Sequence, residues 1–131
     1  MSVSYLGNLL SKKGDYDGAE ALDRRALEGY EKALGSEHPD TLMSVNNLTF
    51  LLNATDRRPE AIALLRRFAV LSDDSRDAVA YNLACYECLE GNHEEAKRLI
   101  AEHLERHPEK KAQALADEDF AAIRDWIEAT A

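Results

Sequence analysis

Two cysteines, three prolines, six glycines and one tryptophan in 131 residues leave several classes of protein without their raw material. Cys85 and Cys88 stand three apart inside one predicted helix, which is no disulfide framework and fits a reducing, cytoplasmic setting. A structural zinc site would need a second pair of ligands, and a redox pair would need a helix N-terminus to lower its thiol pKa, so these thiols are read as packing or groove lining. No apolar run approaches the roughly 18 to 20 residues of a membrane span, and no basic stretch followed by an apolar one opens the chain. No membrane partner is expected. Cations are scarce too: 16 Lys and Arg against 25 Asp and Glu leave a formal charge of −9, with the cations interspersed among acids, so no basic face exists to displace counterions from nucleic acid.

Catalytic raw material is equally thin. There is no glycine-rich phosphate loop, no nucleophile elbow and no HExxH, and the carboxylates fall on predicted solvent faces where nothing drives two pKa values apart. His103 and His107 lie one helical turn apart, a spacing that can chelate a metal. They are read instead as a packing residue and a helix-end cation, and His38 and His93 as turn residues. The chain is therefore expected to be no enzyme, with no cofactor and no metal.

What the chain does hold is helix-forming residues in a repeating order. Hydrophobic residues make up 45% and charged ones 31%, with heavy use of Ala, Leu, Glu and Arg. Leu6, Gly7, Leu10, Gly14, Tyr16, Ala19 and Ala26 return 42 residues later as Leu48, Thr49, Leu52, Asp56, Arg58, Ala61 and Phe68. A further shift of 35 lands on Leu83, Ala84, Glu87, Gly91, His93, Ala96 and His103. Self-similarity at such periods marks stacked supersecondary units, each unable to bury its apolar face alone.

On these positions the chain resembles the tetratricopeptide repeat. More narrowly, Gly14-Asp15-Tyr16-Asp17-Gly18-Ala19-Glu20, Arg24-Arg25-Ala26-Leu27-Glu28 and Leu34-Gly35-Ser36-Glu37-His38-Pro39-Asp40-Thr41 before Asn46-Asn47-Leu48 resemble its kinesin-light-chain-like subtype. The resemblance covers about residues 3 to 108. It implies an all-α fold, a right-handed alpha-alpha superhelix of three helical hairpins with a C-terminal capping helix. The whole chain, 1–131, is expected as one domain, with repeats at about 2–35, 39–71 and 75–108 and a capping segment over 109–130.

Taken in order, Val3, Leu6, Leu9 and Leu10 predict a first helix over residues 2 to 13. That helix has little room for a capped entry and shows leucines where a terminal repeat carries a polar face. An excised fragment, or self-association through this helix, is the expectation. Ala19, Leu22, Ala26, Leu27, Tyr30 and Leu34 form the predicted buried stripe of the second helix, with Glu20, Arg24, Glu28 and Lys32 on its solvent side. Pro39 and Pro59 open the third and fourth helices, the latter running to about Leu71. Ser72-Asp73-Asp74-Ser75 caps the fifth, and Gly91-Asn92 turns the chain into the sixth, Glu94 to Arg106. A short helix near Lys110 to Leu115 and a capping helix begun by Asp117, with one stripe of Phe120, Ile123, Trp126 and Ile127, complete the reading.

In the family the first helix of each hairpin lines an inner groove. Residue by residue, the resemblance places there Ser4, Asn8, Ser11 and Lys12, then Met43, Asn46, Asn47, Phe50 and Asn53, then Tyr81, Asn82, Cys85, Cys88 and Leu89. Amides both donate and accept, so spaced asparagines can hold an extended backbone while Phe50, Tyr81 and Met43 receive side chains. The partner implied is a protein or peptide. The rival expectations are a structural segment of a longer repeat protein and a non-catalytic regulatory subunit of an enzyme complex. The competing reading of the asparagines is that they satisfy neighbouring helix ends, with Phe50 in the core. Basic residues expected for capture of a chaperone-tail carboxylate are replaced by Ser4, Ala78 and Asn82, and an acidic cargo peptide would meet little beyond Lys12.

Overall fold

Every regular element among the described residues, 16–130 of the computed structural model, is helical. Helix α1 spans Tyr16–Leu34, α2 Pro39–Ala54, α3 Arg58–Ala69, α4 Asp73–Leu89 and α5 His93–Arg106. A 3₁₀ turn at Pro108–Lys110, α6 at Lys111–Ala116, a 3₁₀ segment at Glu118–Ile123 and α7 at Arg124–Ala129 follow. The fold is an all-α helical repeat. The chain divides between Val79 and Ala80, inside α4, into two compact units.

In the first unit α2 packs against both α1 and α3. Its start is built from three neighbouring residues. Pro39 takes a first-turn position where its missing N–H costs nothing, and the His38 ring Nδ1 accepts from the Asp40 N–H at 3.1 Å. His38, expected to be a turn residue, is thus the N-cap. Substituting it by alanine is expected to cost about 1 kcal/mol, the usual worth of a cap. The denaturant midpoint would fall with an unchanged slope, and His38→Asn would restore it; a midpoint that does not move would remove the cap from the account.

The repeat spacing reappears in the backbone hydrogen bonds. After α2, Arg57 N–H donates to the Leu52 carbonyl at 2.8 Å; after α4, Asn92 N–H donates to Glu87 at 2.8 Å, a donor and an acceptor each 35 residues on. Asp56 N–H to Asn53 and Gly91 N–H to Cys88 match likewise. Both turns place their pivot in the left-handed region, Asp56 at φ 62° and Gly91 at φ 88°. Glycine reaches that region freely, and aspartate is among the few side chains that visit it. Ala19, Ala61 and Ala96, at equivalent positions, are all fully buried, since a methyl group allows helices to approach closely.

Helices α1 and α3 are joined along one side by charges. Glu20 accepts from Arg24 at 2.8 Å and also from Arg57; Arg24 reaches Glu60 at 3.2 Å, and Arg67 reaches Glu31 at 3.1 Å. Burial alone would raise the Glu20 pKa, but the two guanidinium bonds outweigh it and hold the carboxyl below its usual range. The expected stripe of α1 is only partly the observed one. Leu22 and Tyr30 are half-buried and Leu34 is 44% exposed, because α1 ends at Leu34 and Gly35, at φ 95°, turns the chain away. The stripe's missing member is Asp23, which is completely buried.

Helix α3, expected to start at Pro59, begins at Arg58 and ends at Ala69, short of Leu71. The next is capped by Ser72, whose Oγ accepts from the Ser75 N–H at 3.0 Å.

In the second unit the short helix expected near Lys110 to Leu115 is α6, whereas the stretch begun by Asp117 differs from the one helix expected there. Asp117 Oδ1 accepts from the Asp119 N–H at 3.0 Å and opens a 3₁₀ segment, not an α-helix. Phe120 and Ile123, three apart, suit a three-residue turn; Ile127, four further on, suits the α-helical turn after it, and all three are buried. Trp126 falls off this line and is half-buried, with Lys97 Nζ 5.7 Å from its ring centre. Arg124 fastens the segment by donating to the Leu115 carbonyl at 2.9 Å, and Lys111 donates to the α7-end carbonyls of Glu128 and Thr130.

Candidate functional site

Helix α2 divides its residues sharply between two sides. Leu42, Val45, Leu48, Thr49, Leu51 and Leu52 are buried, whereas Met43 is 52% and Phe50 61% exposed. Two large apolar side chains are thus left in water two turns apart, with Asn46 and Asn47 half-buried between them, on the side of α2 turned away from the core.

Beside Met43 lies an open cleft of ≈ 440 Å³ between the first half of α2 and the first turns of α4. Pro39, Leu42, Met43 and Asn46 line it from α2, Asp74 and Ala78 from α4, and Glu37 from the residues just before α2. The 35-residue shift carries Met43 onto Ala78, so a methyl group faces the thioether, and that mismatch in size leaves the cleft open. Asn46 ties the walls together, its Nδ2 donating to the Ala78 carbonyl at 3.2 Å. Its buried Oδ1 has no hydrogen-bond partner among the described residues.

The other residues expected to line a groove fall in different settings. Asn53 Oδ1 accepts from Arg58 Nε at 2.8 Å and so secures the turn into α3. In the second unit, Tyr81 donates its hydroxyl to Asp117 Oδ2 at 2.9 Å and packs edge-on against Phe120 and His103, with ring centres 5.4 and 5.9 Å away. Cys85 is buried with its Sγ 3.9 Å from the same carboxylate oxygen. Burial first, then the negative charges of Asp117 and Asp119, push this thiol above its ordinary range; burial does the same at Cys88. Both thiols are free and protonated at neutral pH. Asn82 is half-buried and Leu89 exposed. Asn8 and Lys12, with the leucine-lined first helix expected to self-associate, lie outside the described residues.

Sequence reasoning missed Glu37 and Asp74. For Asp74 the signal was positional, because it falls on Pro39 under the 35-residue shift and so stands in the first turn of an equivalent helix; Glu37, which precedes the cap of α2, carried none. None of the described helices is long and apolar enough to cross a membrane.

A family model described as the tetratricopeptide repeat matches residues 1–40. No curated protein matches the chain.

Proposed function

Because the chain is a tetratricopeptide-repeat protein, and such repeats generally mediate protein–protein interaction, we propose that it binds a peptide segment of a partner along the exposed face of α2 and the cleft beside it. It performs no chemistry of its own, and it works in a reducing, cytoplasmic compartment. The observation that carries this reading is the pair Met43 and Phe50, more than half exposed on a helix whose opposite side is sealed in the core. Covering about 100 Å² on each would contribute about 2.5 kcal/mol apiece, enough to account for a hot spot.

The amides complement this apolar pair. Asn47, half-buried between the two exposed side chains, can present both a donor and an acceptor to an extended backbone. A Met43→Ala, Phe50→Ala double variant should keep its helical circular dichroism while recovering its partner at least about tenfold less well from an extract of its source. Recovery of every partner at wild-type levels would show that the α2 face is not the binding surface.

A further inference from the structure

The spacing of the exposed pair on α2 restricts the backbone that can lie along it. Met43 and Phe50 are seven residues apart, which in an α-helix is a rise of about 10.5 Å and a rotation about 20° short of two full turns. A bound segment must return a side chain to one side at nearly that interval to cover both. A β-strand returns one every second residue, at about 6.7 or 13.4 Å, and misses by roughly 3–4 Å either way. A polyproline II segment returns one every third residue, at about 9.3 Å, and an α-helix every seventh, at about 10.5 Å. The flexible Met43 thioether takes up a mismatch of about 1 Å far more readily than one of 3–4 Å.

Asn47 decides between the two remaining backbones. It lies between the exposed pair, and its amide offers both a donor and an acceptor, whereas Asn46 beside it already donates to the Ala78 carbonyl. The peptide groups of a helical occupant are bonded within the helix and give that amide nothing to match; those of a polyproline II segment have no internal bonds. The exposed Phe50 ring is also the kind of surface on which such segments dock. Charge narrows the choice further. Although 31% of the chain is charged, α2 carries one charged residue in 16, Asp40 in its first turn. A charged side chain laid from Met43 to Phe50 would lose water without meeting an opposite charge on α2. We infer that the α2 face takes an uncharged segment in the polyproline II conformation, with apolar side chains three residues apart on Met43 and Phe50 and the backbone between them hydrogen-bonded to Asn47. This inference rests on the peptide-binding reading of the α2 face.

The test uses the full chain and three fluorescently labelled, uncharged peptides of equal length. One repeats leucine-proline-glutamine, which sets leucine every third residue of a polyproline II helix; one alternates leucine and threonine as a strand; one is an alanine–glutamine helix with leucine every seventh residue. Anisotropy should show the proline-containing peptide binding at least about tenfold more tightly than either of the others, with less than about a twofold change between low and high salt. Asn47→Ala should lose about tenfold for that peptide, and Asn47→Leu, similar in size but without the amide, should do the same. An affinity that ignores both Asn47 variants, or that falls steeply with salt, would overturn the inference. Tighter binding of the strand or helical peptide, still lost in the Met43→Ala, Phe50→Ala double variant, would overturn the polyproline II occupant and leave the α2 face as the binding surface. Binding of any peptide that ignores the double variant would overturn both. Absence of binding by all three at about 1 mM would overturn the inference alone, since partner recovery by the double variant still decides the α2 face.

Discussion

Replacing Asp23 by leucine is expected to stabilise the protein by about 3 kcal/mol at neutral pH and to raise its melting temperature by on the order of 10 °C. The repeat spacing puts Asp23 where the later hairpins carry Leu65 and Ile100, both buried. Asp23 is itself 0% exposed, and neither carboxylate oxygen has a hydrogen-bond partner among the described residues. Glu87, the other buried carboxylate among the described residues, accepts from Asn92 Nδ2 at 2.9 Å, so burial of an acid in this fold need not leave it unmatched. Removal from water pushes the Asp23 pKa up to about 6. In the unfolded chain it returns to the ordinary carboxylate range, so between the two values the folded state binds more protons and stability falls as pH rises.

The cost is fully present above pH 6 and is relieved as pH drops through that value. Glu20 works the other way, since its lowered pKa makes its contribution strongest above the ordinary carboxylate range and lost in acid. Wild-type stability should therefore rise from pH 7 to about pH 5 and turn down at lower pH, whereas the leucine variant should lack the rise. Denaturant titrations across that range decide it. A leucine variant less stable than wild type would show that the carboxylate is matched after all.

Phe68→Ala is expected to cost about 3–5 kcal/mol, enough to bring a domain of this size close to unfolding. Phe68 is completely buried near the end of α3, at the position held by Ala26 in the first hairpin and His103 in the third. The hairpin with the shortest second helix among those described, 12 residues, thus carries the largest apolar side chain at that position. Removing it leaves a void that close-packed neighbours cannot fill. Arg67, with its guanidinium carbon 5.0 Å from the ring centre, would lose its aromatic partner as well. Phe50→Ala is the matched control: the same truncation at a residue 61% exposed should leave stability within about 0.5 kcal/mol of wild type. Comparable losses in the two variants would mean that Phe50 belongs to the core and would weaken the binding-face reading with it.

Much of the helical layout was legible in the amino-acid order. The shifts that align Leu48 with Leu83 and Ala19 with Ala61 and Ala96 locate the buried seam, and Asp56 and Gly91 mark turns that share one hydrogen-bonding pattern. These features depend on neighbours one or two helical turns away, so composition and spacing suffice to specify them. The 3₁₀ form of Glu118–Ile123 was not legible, because a stripe spaced three and four apart fits either kind of turn.

The candidate site was legible only in part. Met43, Asn46 and Phe50 share the open side of α2 by helical spacing alone, while the cleft depends on Asp74 and Ala78, about thirty residues distant along the chain. Sequence by itself determined the buried seam shared by the repeats and placed the turns between helices to within a residue or two, since those follow from local periodicity, caps and left-handed turns. Only the tertiary structure decided that Asp23 is sealed from water, that Tyr81 and Cys85 meet Asp117, and that Glu37 and Asp74 border one opening. Such juxtapositions arise when separate helices are packed side by side, and no local spacing rule encodes which distant side chains that packing brings within a few ångströms.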